Sequence, residues 1–144
     1  VPRHGSETVD RASGDPDGAS TQVRGQSGFG SVVAGWLGII GAVTKDRTRR
    51  RELARDVQIV VERSSTHPVE YAIVLLVERD GMWHTVRTFD NAHAPDEHHE
   101  HRYVGSDKQP PVVSHGPPNA AMHVAEIKLL TDWSDIVCDW ESTR

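Results

Sequence analysis

Residues 89–103 read FDNAHAPDEHHEHRY, a density of titratable side chains that packing alone does not require. Asp90, His93, His99, His101, Arg102 and Tyr103 are the candidate catalytic residues. Cleavage of a phosphodiester needs one group to take a proton, one to give it, and a cation to hold the charge that develops on phosphorus. His99 and His101 suit the first two roles because imidazole titrates near neutrality. Arg102 suits the third, and Asp90 or Glu100 could orient an imidazole. If the run is extended, His99, His101 and Tyr103 face one side while His98, Glu100 and Arg102 face the other, which would split the set. A metal site is a second chemistry, since an H-x-H pair on one strand face suits zinc, iron, manganese or nickel. His93, His98, Asp90 or Asp96 would then have to complete the shell. A solvated polar loop, or a surface that binds protein without chemistry, is the third. With no cysteine ligand nearby and Arg102 adjacent, metal-independent acid–base or phosphate chemistry is favoured, and no cofactor is expected.

The elements that must position these residues follow from composition and pattern. A chain of 144 residues has room for one ordinary domain. Its single cysteine, Cys138, allows no intramolecular disulfide and no Cys-based zinc site, which favours a reducing, cytoplasmic setting. The net charge of -5 hides an asymmetry: residues 1–66 hold ten Lys/Arg against eight Asp/Glu, and residues 67–144 six against thirteen. The acidic half would repel a nucleic acid unless a local Arg/Lys group or a metal offsets its field. Residues 1–28 carry almost no large apolar side chains and are expected to be a disordered tail. No cleavable signal peptide is expected.

Residues 28–43, GFGSVVAGWLGIIGAV, form an apolar but glycine-rich stretch, too short to span a bilayer, which takes about 20 apolar residues. An apolar helix over residues 29–43 is expected to pack on the domain or on a second subunit, with membrane contact and poor order the lesser alternatives. A basic helical segment continues it to residue 55, and Arg47, Arg49, Arg50, Arg51 and Arg55 are the candidate nucleic-acid-binding residues. The α+β domain is then residues 56–144. Residues 57–61 and 69–78 read as strands, Asp80-Gly81 as a tight turn, and residues 82–89 as a third strand, giving an antiparallel meander of three to four strands. Pro110, Pro111, Pro117 and Pro118 mark a connection. Asn119 is expected to cap a C-terminal helix whose Met122, Ala125, Leu129, Trp133, Ile136, Val137 and Trp140 cover the sheet.

The order of these elements, with Asp90-Asn91-Ala92-His93 followed by His98-His99-Glu100-His101-Arg102-Tyr103, resembles the TumE-type toxins of bacterial toxin–antitoxin pairs, or a related family of small actinobacterial proteins. The resemblance covers about residues 56–141. It implies a growth-regulating toxin, plausibly acting on RNA, and a cognate antitoxin protein as partner. The insert Ala94-Pro95-Asp96-Glu97 is longer and more acidic than that pattern.

Overall fold

The computed structural model describes residues 46–144. The tail expected over residues 1–28, the apolar helix over 29–43, and association or membrane contact through it all lie outside the described residues. Among the described residues no helix is long and apolar enough to cross a membrane.

The fold is α+β: one antiparallel sheet of seven strands and a C-terminal helix. The strands are β1 (Arg47–Ala54), β2 (Val57–Arg63), β3 (Tyr71–Arg79), β4 (Met82–Ala94), β5 (Glu97–Val104), β6 (Asp107–Lys108) and β7 (Val112–His115). Their lateral order is β1-β2-β3-β4-β5-β6, with β7 also on β5. The sheet is thus larger than the expected three to four strands. Its additional members are strands without an apolar alternation of their own.

β1 is the clearest correction. The basic run expected to be helical is a strand, in register with β2 from Arg47 opposite Arg63 to Ala54 opposite Val57. RTRRRELA has no apolar face at three- and four-residue spacing to seat a helix, whereas β2 offers a strongly β-branched partner two residues away across a tight turn. The expected turn at Asp80-Gly81 is present, with φ of 56° and 74°, the left-handed pair that a two-residue hairpin requires. The connection between the prolines holds β7, paired with β5 from Glu97 opposite His115 to Glu100 opposite Val112.

The helix, α1 (Pro118–Glu141), starts one residue before the expected cap, because Pro117 takes the extended cap position and Pro118 the first turn, where a missing N–H costs nothing. Asn119 lies inside that turn. The expected apolar face is the one that packs: Ala125, Leu129, Ile136, Val137 and Trp140 are buried against Ile59, Tyr71, Ile73, Leu75 and Phe89, with Met122 and Trp133 at the margin. Fully buried aliphatic side chains such as Leu129 each contribute about 1.5–3 kcal/mol.

Register assigns every β residue to a face, because residues directly opposite across antiparallel strands share a side. Arg49, Val61, Ile73, Phe89 and Glu100 form one cross-strand row. Arg49 pairs with Glu126 and Glu100 with Lys128, both on α1, so this row faces the helix. On the other face, Thr48, Glu62, Ala72, Asp90 and His99 make one row, and Arg50, Val60, Val74, Thr88 and His101 the next. Among the described residues no helix covers that second face.

Candidate functional site

Residues 89–103 are two strand arms joined by a tight turn at Pro95-Asp96, not a loop. Asp90 stands directly opposite His99, and Thr88 opposite His101. Asp90, His99 and His101 therefore share the face away from α1. All three are buried, with Asp90 and His99 side chains each 5% exposed.

Each imidazole is tied at one nitrogen. His99 Nε2 lies 2.7 Å from Glu97 Oε1, and because a carboxylate only accepts, that nitrogen carries the hydrogen. His101 Nδ1 donates to the Gln109 carbonyl at 3.1 Å. The remaining nitrogens face one carboxylate from two sides: His99 Nδ1 is 3.7 Å from Asp90 Oδ1, and His101 Nε2 is 4.0 Å from Asp90 Oδ2. These separations exceed hydrogen-bond length, and His99 Nδ1 has no hydrogen-bond partner although it is buried. The two rings meet edge-on with centroids 6.0 Å apart. His93, on the irregular end of β4, is exposed, and its ring lies 4.8 Å from that of His99. It forms the solvent side of the cluster.

Burial holds the His101 imidazole below its usual value, with the Gln109 carbonyl and Asp90 opposing and Lys108 and His99 reinforcing. Tyr103 follows His101 on the same strand, half-buried. Burial pushes its phenol up to about 12, with the Thr88 hydroxyl opposing and the charge of Asp90 adding to the rise.

Arg102 does not join the cluster. It stands opposite Arg87, which is opposite Leu75, on the α1 side of the sheet, and it is exposed. His98 is also on that side and is structural: the Tyr71 hydroxyl meets its Nδ1 at 3.1 Å and its Nε2 donates to the Gly116 carbonyl at 2.8 Å. Asp96 is an exposed turn residue. Of the candidate arginines, Arg47, Arg49 and Arg51 lie on the α1 side, Arg50 lies in the row of His101, and Arg55 is in the β1–β2 turn. All five are exposed, and they do not make one basic face.

Three contributors escape a reading by residue type alone. Asn91 fixes the backbone beside Asp90, Glu97 fixes His99, and the main chain of Gln109 fixes His101. The i, i+2 spacing of Glu97 and His99 and the place of Asn91 in the Asp90-Asn91-Ala92-His93 segment were sequence signals; the main-chain role of Gln109 left none. Among the described residues, no group of three His, Cys, Asp or Glu side chains could hold a metal ion.

On the α1 side, an open cleft of about 400 Å³ separates the first turns of the helix from β5 and β7, lined by His98, Glu100, Val112, Val124 and Lys128 among others. Glu100 accepts from both Arg87 and Lys128 there. Its burial raises the carboxyl's pKa, but the two cations outweigh this and hold it below the usual value.

No protein-family model, no curated protein and no solved structure matches this chain.

Proposed function

We propose that this chain is a toxin-like protein of a bacterial toxin–antitoxin pair that acts on RNA, with its reactive centre on the β4–β5 hairpin. The observation that carries this is the convergence of two imidazoles on the Asp90 carboxylate, each with its outer nitrogen fixed and its inner nitrogen left for chemistry. Two imidazole nitrogens that face one carboxylate can take up, pass on and give back a proton. A phosphodiester presented at the exposed His93 meets a proton-handling imidazole first and the Asp90 group behind it. Arg102, on the opposite face, is not the group that steadies the phosphorane. The resemblance of the D-N-x-H and H-x-H-R-Y segments to TumE-type toxins supports the same reading and supplies the expected partner, an antitoxin protein.

Expression of the chain is expected to arrest bacterial growth. His101→Ala is expected to abolish the arrest while circular dichroism shows the fold intact, and co-expression of the adjacent gene's product is expected to relieve it. Unimpeded growth under the unaltered chain, or arrest that persists in the variant, refutes the proposal.

A further inference from the structure

We infer that the outer edge of β7 and the flank of α1 beside it form a homodimer interface, in which β7 pairs antiparallel with β7 of a second copy and the two sheets become one. The inference stands on the edge and its exposed apolar side chains, not on RNA as substrate.

The two edges of the sheet are built differently. β1 carries Arg47, Arg49, Arg50 and Arg51, and charge along an edge strand discourages pairing with another chain. β7 reads Val112-Val113-Ser114-His115, has no Lys, Arg, Asp or Glu, and is exposed at all four residues. Its backbone groups divide by residue. The Gly116 N–H donates to the Asp96 carbonyl at 3.0 Å, so by the alternation of an antiparallel ladder Val112 and Ser114 turn their N–H and C=O toward β5. Those of Val113 and His115 point outward, and among the described residues no strand pairs with them.

That spacing is self-complementary. A two-fold axis beside Ser114 sets Val113 opposite His115 of the second copy, twice over, and each such pair exchanges two hydrogen bonds. The same register sets Val112 of the second copy opposite Gly116, where a side chain meets nothing within 4 Å. Val112 then enters the mouth of the cleft whose walls include Pro117, Ala120, Ala121 and Val124. The apolar surface beside the strand adds to what so short a ladder supplies. Val112 and Val124 are 59% and 64% exposed, and Ile127, also exposed, lies one turn on along the same side of α1. Charge allows a like partner here. Residues 46–144 hold twelve Lys/Arg against seventeen Asp/Glu, so two copies repel at long range and meet best through an uncharged edge. The charged groups in the cleft, Glu100 and Lys128, pair with each other.

Because the axis stands perpendicular to the sheet, the two helices share one side of it and the two His faces the other. The two His99 strands are then three strand spacings apart, about 14 Å. On the reading proposed above, which this consequence alone rests on, one RNA strand meets two reactive centres.

The test is sedimentation equilibrium of the full chain over a range of concentrations, with circular dichroism to confirm folding. A reversible dimer is expected. Val113→Pro, which removes an outward N–H and keeps the bonds to β5, and Val124→Lys are each expected to raise the dissociation constant by roughly tenfold or more. Met82→Lys, at an exposed apolar residue of the β3–β4 hairpin, is expected to leave it unchanged. The register is read by cross-linking in a Cys138→Ser background. Ser114→Cys is expected to give a disulfide-linked dimer on oxidation, because facing residues of a non-hydrogen-bonded pair have Cα atoms about 4.5 Å apart. Val112→Cys, far from its own copy in this register, is expected not to. A chain that stays monomeric at every concentration overturns the inference, as does a dimer unaffected by both Val113→Pro and Val124→Lys, or cross-linking of Ser114→Cys no faster than of Val112→Cys. A dimer that survives those two substitutions and is lost in Trp36→Asp belongs to residues 29–43, which also overturns it. Dimerisation through β7 without growth arrest upholds the interface and refutes the RNA reading alone.

Discussion

Asn91 accepts the Tyr71 N–H at 2.8 Å and donates to the Val69 and Pro95 carbonyls at 2.9 and 3.3 Å, so it ties the start of β3 to the end of the β4–β5 hairpin. It is 2% exposed, and alanine would leave two buried backbone groups, the Tyr71 N–H and the Val69 carbonyl, unsatisfied. Asn91→Ala is therefore expected to destabilise the fold by about 3 kcal/mol in urea unfolding, since each orphaned buried group costs roughly 1–3 kcal/mol and the site relaxes in part. Its neighbour behaves differently. Asp90→Asn keeps those backbone bonds, so its expected effect falls on ligand binding rather than on the unfolding midpoint. The same contrast separates the arginine and the histidine at 102 and 101. Arg102→Ala is expected to leave growth arrest unchanged, and His101→Ala to remove it, measured side by side in one expression assay. Residue type and alternation made Asp90, His99 and His101 legible in the sequence. Alternation also set Arg102 and His98 on the opposite face from His99 and His101; what it could not tell is which of the two faces α1 covers.

At the scale of elements, β5 carries opposite duties on its two sides. Glu100, between His99 and His101, faces α1 and gathers Arg87 and Lys128. Removing it strands the Arg87 guanidinium, whose side chain is 9% exposed. Glu100→Gln is expected to cost about 3 kcal/mol, in the range found when one partner of a buried pair is lost. The pH dependence has a definite sign. Because the folded carboxyl lies below its unfolded value of about 4.3, the stabilisation is complete above that pH and is lost as pH falls through the lower folded value. Urea midpoints followed from neutral to acidic pH are expected to fall less steeply in Glu100→Gln than in the unaltered chain. β1 divides in the same way. Arg50 shares the row of His101, whereas Arg51 faces the α1 side. If RNA crosses the His face, Arg50→Ala is expected to lower the salt dependence of binding by about one counterion, and Arg51→Ala to leave it unaltered. β1 itself was hidden in the sequence because an edge strand paired on one side can be charged throughout. β3 and α1 were plain because each must bury an apolar run or an apolar stripe.

Across the whole molecule, the packing of α1 on the sheet is what holds the β4–β5 hairpin in register. Leu129, fully buried at that contact, is expected to cost 2–5 kcal/mol when replaced by alanine, read by thermal or urea unfolding. The α+β class, the strand at residues 69–78 and the apolar face of the helix could all be read from periodicity, whereas β6, β7 and the small β4–β5 turn could not. Val112–His115 shows only four residues among prolines and glycine, and its pairing is decided by β5 rather than by its own side chains. The same segment holds a less visible kind of information. The atoms that orient His101 and His98 are the carbonyls of Gln109 and Gly116, which any residue able to adopt the local backbone would supply. Gly116 has φ of 155°, so its identity answers to the main-chain path and not to the imidazole it serves. Side-chain substitution at these positions would pass such atoms by, and divergence among relatives would keep no trace of them. Each of the two carbonyls is followed by a proline, Pro110 and Pro117, so the nitrogen beside it carries no hydrogen and the carbonyl is the one hydrogen-bonding group its peptide unit offers.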